Sequence, residues 1–191
     1  MDYQKRMDEI LLDLGDARPR LLLHACCAPC LSAPLELLSS RFELTVWYDN
    51  PNIMPREEYE KRLGEFEKLR RWPFRLETAP WDNEGFLAAV RGHEGDREGG
   101  ARCAVCFRLR LGRTAEKARA EGYDFFCTTL TVSPHKNAAL LNAIGEELSA
   151  EAGVPWLYSD FKKRDGYKRS IEICRELGIY RQMYCGCQLQ E

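Results

Sequence analysis

The stretch LLLHACCAPC (21–30) decides how the chain is read. Three consecutive leucines, preceded by Arg18-Pro19, predict a short buried strand over Arg20–Cys26. Pro29 suits the first turn of a following helix, which should run to about Ser40 with Pro34 straining its interior. A strand entering a helix through so short a junction is the first half of a crossover unit. The same junction carries three cysteines in five positions, Cys26, Cys27 and Cys30. In a strand, consecutive side chains point to opposite faces. Cys26 and Cys27 can therefore share a ligand only once the strand has broken into a turn.

Outward from this junction the pattern repeats. Glu43–Tyr48 predicts a second strand, and Pro55–Arg71 a helix with proline at its start and acidic residues in its first turn. Phe74–Thr78 predicts a third strand, and Cys103–Glu121 a long basic helix ending at Gly122. A strand over Phe125–Thr131, a helix over Pro134–Ala152 closed by Gly153, a short strand over Val154–Tyr158 and a helix over Gly166–Leu177 complete the chain. The alternation predicts an α/β fold with a parallel sheet and helices on both faces. The glycine-rich, charged stretch 91–102 reads as a mobile lid. Ligands of such folds sit beyond the carboxyl ends of the strands, so Cys26–Cys30, Asp49–Pro51 and Thr128–Thr131 should converge on one site.

The 191 residues predict a single domain over 1–191, with 1–19 a helical extension and 178–191 a tail holding Cys185-Gly186-Cys187. No run approaches 18 apolar residues, which argues against a membrane-spanning helix. MDYQKRMDEILLDLG (1–15) is amphipathic and lacks the apolar core of a signal peptide, so a cytoplasmic location is expected. There the nine cysteines point to metal or redox chemistry, because disulfides are rare and an odd number cannot all pair. The net charge of −2 gives no global attraction to nucleic acid.

Three cysteine groups carry the chemistry: Cys26-Cys27-x-x-Cys30, Cys103-x-x-Cys106 and Cys185-x-Cys187. Cys27 and Cys30 alone could be a thioredoxin-like pair, but that leaves the others idle. Four thiols, Cys27, Cys30, Cys103 and Cys106, would satisfy a structural zinc in a nucleic-acid-binding module. The surplus of soft ligands favours an iron–sulfur cluster with a further redox or metal function. Cys185 and Cys187, around a glycine, allow a labile disulfide. Cys127 and Cys174 read as core residues.

Other polar residues each have a plainer reading. His24 could tune a cluster or simply be a satisfied strand histidine. Asp49 and Asn50 could bind nucleoside hydroxyls or form the turn in DNPN. Thr128, Thr129, Ser133 and Lys136 could touch sugar or phosphate, although Ser133 also reads as a helix cap before Pro134. Tyr184 could stack on a base or donate a proton. Two basic runs, Arg108, Arg110, Arg113, Lys117 and Arg119, then Lys162, Lys163, Arg164, Lys168 and Arg169, are either solvated faces or phosphate contacts.

Taken together, HACCAPC (24–30), YDNPNIMPREEYEKR (48–62), GGARCAVCFRLRL (99–111), FCTTLTVSPHKN (126–137) and YRQMYCGC (180–187) resemble the iron–sulfur, cobalamin-independent epoxyqueuosine reductases of the QueH family, in that order. The resemblance implies a Rossmann-like sheet related to the PP-loop/HUP class. The phosphate loop of that class is replaced here by CCAPC, which argues against ATP use. It implies an oxidoreductase that deoxygenates epoxyqueuosine to queuosine at the wobble position of tRNA, the last step of queuosine synthesis, with an anticodon stem-loop and an unidentified electron donor as partners. It implies a [4Fe-4S] cluster on Cys26, Cys27, Cys103 and Cys106, an additional mononuclear metal ion (iron) with Cys30 as a possible ligand, and a redox-active disulfide between Cys185 and Cys187. Tyr184 and Asp49 would serve the reaction, and Arg108, Arg110, Arg113, Lys136, Lys163 and Arg164 would contact RNA.

Overall fold

The computed structural model describes residues 2–189. Four strands, β1 (Arg20–His24), β2 (Glu43–Tyr48), β3 (Arg75–Thr78) and β4 (Phe125–Thr128), form one sheet in the order β3-β2-β1-β4. Every pairing is parallel, with Leu22 beside Thr45 on one side and Phe126 on the other. Among the described residues seven α-helices accompany it: α1 (Tyr3–Asp13), α2 (Ala28–Leu38), α3 (Arg56–Gly64), α4 (Asn83–Ala89), α5 (Ala101–Ala120), α6 (Ala138–Ala152) and α7 (Gly166–Leu177).

The leucine run explains why both faces are covered. Leu21, Leu22 and Leu23 are all fully buried, but on alternate sides. Leu21 and Leu23 pack with Leu31, Leu35 and Leu38 of α2, with Met7 of α1 and with Ile173 of α7. Leu22 packs with Phe107 and Leu111 of α5 and Leu141 of α6. α2 lies against α7 on one face, and α5 against α6 on the other. The N-terminal helix, capped by the Asp2 carboxylate at the Gln4 amide (3.1 Å), is thus part of one core.

Several expected boundaries move. β1 stops at His24, so Cys26 and Cys27 lie in the turn as their adjacency requires. Pro34 sits inside α2, buried. The expected helix over Pro55–Arg71 leaves α geometry after Gly64 and finishes as a 3₁₀ turn over Glu65–Leu69. β4 gives way at Thr129 to a 3₁₀ turn, Thr129–Val132, because the Thr128 hydroxyl accepts from the Leu130 amide (3.2 Å) and turns the chain. α6 begins at Ala138 under an Asn137 cap, displacing the expected cap at Ser133. The expected strand over Val154–Tyr158 is reduced to one bridge, Trp156 to Phe126. Its Trp156 indole instead fills the face of α6 at Gly145, where an added Cβ would lie 2.3 Å from the ring.

The stretch expected to be a lid is organised around Arg102, 1% exposed, whose Nη1 donates to the Leu189 carbonyl (3.2 Å) and whose amide donates to Asp96 (2.9 Å). Among the described residues no helix is long and apolar enough to cross a membrane.

Candidate metal centre and cleft

At the carboxyl end of β1 the chain turns sharply. Cys27 is extended (φ −172°, ψ 162°) and stands at the N-cap of α2, with Pro29 in the first turn. This geometry brings the sulfurs of Cys26, Cys27 and Cys30 within 4.8 Å of one another, with Cys26 and Cys27 Sγ 3.7 Å apart. The trio shares protons unequally. Hydrogen bonds from Cys27 and Cys30, helped by Arg110, hold the Cys26 thiol well below its ordinary pKa. The Cys26 anion in turn pushes Cys27 up to about 12 and raises Cys30. The Thr129 hydroxyl accepts from the Cys26 amide (3.3 Å) and lies 3.7 Å from its sulfur.

His24, fully buried, belongs to the plainer of its two readings. Its Nε2 faces the Asp49 carbonyl (3.1 Å), an acceptor only, and must therefore carry the proton. Nδ1 then accepts from the Thr128 hydroxyl (2.9 Å). Burial first, and Arg110 second, lower the imidazole to about 3, so His24 is a neutral strut joining the ends of β1, β2 and β4.

The second cysteine pair opens α5. Cys103 Sγ accepts from the Gly99 amide (3.2 Å), and Cys26 packs against the apolar cluster containing Cys103. Cys106 Sγ accepts from Arg110 Nη1 (3.8 Å), and the other arm of that guanidinium donates to Asn50 Oδ1. Arg110 is 2% exposed. Burial works against its charge, but Cys106, Cys26 and Cys185 face it and more than offset that cost, raising its pKa.

The C-terminal stretch closes the site. The Glu65 carboxylate accepts from the Tyr180 amide (2.7 Å), Lys68 donates to the Gly178 carbonyl (2.8 Å), and the Met54 amide donates to the Gly186 carbonyl (3.0 Å). Gly186 (φ +146°) is pressed against Ile53 and Arg62, with an added Cβ 2.9 Å from Ile53 Cγ1. Cys185 is held below its ordinary pKa by a hydrogen bond from Cys187 and by Lys136, whose Nζ lies 3.8 Å from its sulfur; Cys187 is raised correspondingly. All nine cysteines are free thiols.

Comparison with known proteins places the chain in a family. A family model described as epoxyqueuosine reductase QueH matches residues 21–191. The chain belongs to the QueH family. It is 42% identical to the Streptococcus pyogenes serotype M1 epoxyqueuosine reductase QueH over 98% of this chain and 77% of that protein. The Staphylococcus aureus protein of the same name is 40% identical over 89% of this chain and 75% of its own length. The Thermotoga maritima one is 35% identical over 87% and 88%.

In this QueH chain a cleft of about 460 Å³ opens beside the triad. Cys26, Cys30, Cys185, Lys136 and Tyr184 line it, as do Asn52, Arg62 and Gln182, which the sequence reading did not single out. Arg110 lines its floor and is buried, away from the outer surface. Asp49 does not line the cleft. It is 1% exposed behind the wall, its carboxyl raised by burial and partly restrained by Arg113, 3.5 Å away. The other expected RNA contacts are paired within the chain, Lys136 with Glu98 (3.5 Å) among them. Arg108 meets Glu147 and Glu151, Arg113 also meets Asp82, Lys163 meets Asp2, and Arg164 meets Asp8. Cys127 and Cys174 are buried core residues, as expected.

The burial of Arg110 and the unanticipated cleft residues had partial signals. Arg110 follows Cys103, Cys106 and Phe107 at helical spacing and precedes Leu111 and Thr114, all of them buried. Arg62 similarly follows Tyr59 and the paired Glu58 on α3. Asn52 and Gln182 lie outside regular elements, where no periodicity marks them.

Proposed function

We infer that this chain is an epoxyqueuosine reductase, converting epoxyqueuosine to queuosine in tRNA. The observation that carries the reading is the family match over residues 21–191, and the thiol triad beside a cleft fits it. The reaction takes up two electrons and two protons. Both C–O bonds of the epoxide break, a C=C bond forms, and the oxygen leaves as water.

Sulfur ligands select iron–sulfur clusters, zinc or copper(I) over hard cations, and three thiols within 4.8 Å are ready to bind such a group. Cys26, Cys27, Cys103 and Cys106 are the proposed holders of a [4Fe-4S] cluster, with Cys30 available to a second metal ion, iron. When bound, the cluster supplies single electrons at low potential. The protein contributes the surroundings. Arg110 places a buried positive charge among the sulfurs. A hydrogen bond from Cys187, with Lys136 and Arg110 nearby, lowers the pKa of Cys185, suiting that pair to a proposed reversible disulfide. Tyr184, 45% exposed at the cleft, has a hydroxyl to offer the departing oxygen and a ring to offer the base.

The wobble base must leave its stack to enter the cleft. Lys136, on the cleft, is the basic residue placed to meet its phosphate, in exchange for Glu98, 3.5 Å away. Arg108, Arg113, Lys163 and Arg164 would each exchange an internal carboxylate for an RNA phosphate. The parallel sheet with its site at the strand ends supports the proposed kinship with the PP-loop/HUP class, and tRNA as substrate supports a cytoplasmic location. The test is anaerobic incubation of iron-loaded protein with epoxyqueuosine-containing tRNA and a low-potential reductant, followed by nucleoside mass spectrometry. Loss of one oxygen from the modified nucleoside is expected; no conversion by fully loaded protein would overturn the reading.

A further inference from the structure

Three buried polar atoms on the cleft have no hydrogen-bond partner: Asn52 Oδ1, Arg62 Nη2 and Gln182 Oε1. Burial without a partner is costly, and native proteins leave few such atoms. Three on the wall of one cleft form a pattern of one donor and two acceptors. Asn52 is 3% exposed and Arg62 4%.

The neighbours of Arg62 limit what the three can take. Arg62 Nε is committed to Glu58 Oε1 (2.7 Å), which leaves Nη2 as its unused donor. The Tyr184 ring lies 5.1 Å from its Cζ, and a side-chain interaction with Tyr184 also favours its charge, while Nη2 itself meets no partner within hydrogen-bond geometry. The same guanidinium rests against Gly186, between Cys185 and Cys187, and acts on Cys27. Whatever it bonds is therefore close to the thiols. A phosphate fits poorly, because it has no hydrogen to give two carbonyl acceptors and Glu58 already neutralises Arg62. A pair of hydroxyls fits: each donates to one amide oxygen, and one accepts from Arg62.

We propose that Asn52, Arg62 and Gln182 form a recognition subsite for the vicinal hydroxyls on the five-membered carbocycle of the modified base, the ring that also carries the epoxide. The assignment rests on the epoxyqueuosine reductase reading. It makes this trio the specificity-determining group that separates modified from unmodified RNA.

The test uses metal-loaded full-length protein and two anticodon hairpins of identical sequence, one with epoxyqueuosine and one with guanosine at the wobble position. Asn52→Leu and Gln182→Leu each remove an acceptor at nearly constant size, and Gln182, half-buried near the end of the chain, serves if the Asn52 variant fails to fold. Each variant is expected to bind the epoxyqueuosine hairpin about tenfold more weakly and the guanosine hairpin as before, with metal content unchanged. Equal weakening on both hairpins would assign the atoms to a ribose or a base edge and overturn the proposal. No weakening on either would mean ordered water only, and would also overturn it. Selective weakening in the variants, with no conversion of the epoxyqueuosine hairpin by the wild type, would sink the reaction while upholding the subsite. Wild-type protein that neither discriminates between the hairpins nor converts the epoxyqueuosine one would sink both.

Discussion

Arg110 donates to the Cys106 sulfur from one turn further along α5, Nη1 to Sγ 3.8 Å, with its guanidinium almost wholly buried. Its other polar contact, Asn50 Oδ1, is uncharged. A buried cation requires nearby anions, and the sulfurs of Cys26, Cys106 and Cys185 are what face this one, the Cys26 and Cys185 thiols lowered in pKa and Cys106 raised by its burial. The charge of the site is therefore balanced by chemistry at the thiols, with no carboxylate in contact with Arg110.

Removing that charge should make the site harder to reduce. In iron-loaded protein, Arg110→Gln is expected to lower the cluster's reduction potential by roughly 50–100 mV, which corresponds to ~1–2 kcal/mol for one electron. Arg110→Lys should shift it less. Redox titration followed by electron spin resonance reads the effect, with iron content as control. An unchanged potential in Arg110→Gln would mean that the charge is compensated elsewhere.

Ligation and turnover should separate between cysteine groups. Cys103→Ala or Cys106→Ala should lose most iron and sulfide, because an opened cluster hydrolyses and oxidises. Cys185→Ser and Cys187→Ser should keep near-normal iron yet lose conversion of epoxyqueuosine tRNA. Iron loss in Cys185→Ser would instead make that residue a ligand.

The glycine between the last two cysteines is required by contact. Gly186→Ala would place Cβ 2.9 Å from Ile53 Cγ1 and 3.1 Å from Arg62 Nη1, at a φ of +146° that side chains rarely adopt. A cost of about 1–3 kcal/mol is expected. Thermal unfolding should register it, and conversion of substrate should fall with it because Cys185 and Cys187 are displaced together. Wild-type stability would show that the tail can shift freely.

Glu65 tethers the same tail, and its effect has a definite pH sign. Burial would raise its carboxyl, but bonds from Lys68 and the Tyr180 amide outweigh burial and lower it below the ordinary 4.5. A carboxyl lowered in the folded state stabilises fully above its unfolded pKa and loses that contribution as pH falls through the folded value. Tail attachment should thus be constant at neutral pH and weaken below about pH 4.5. Glu65→Gln should weaken it at neutral pH by ~1 kcal/mol. Limited proteolysis beyond Leu177 measures both; equal cleavage rates in mutant and wild type would dismiss the tether.

Local rules were enough to read the β1–α2 junction, the crossover order and the buried Cys127 and Cys174, because leucine runs and proline positions act within a few residues. They were not enough for Val154–Tyr158, where the Trp156 indole is drawn into the notch at Gly145, nor for α4, whose Asp82 cap was overlooked. Charge was the least legible property. Arg108 and Arg110 are two residues apart in a basic run, yet one is solvated and the other walled in, and only the 3.6-residue period separates them. Asn52 and Gln182 become a pair only through tertiary contact, which no short window of sequence contains.

The strand order has a consequence for how the protein is made. β1 lies inside the sheet, and its partner β4 begins at Phe125, 95 residues after Cys30. At roughly 5–20 residues per second, a ribosome needs on the order of 5–20 s to add that partner. During that interval the thiols of the first loop are open to oxidants and stray metals. Cys27, only 1% exposed in the folded chain, should therefore react readily with an alkylating reagent in nascent chains halted before Phe125 and be protected in completed ones. Protection in the halted chains would show that the first loop closes without β4.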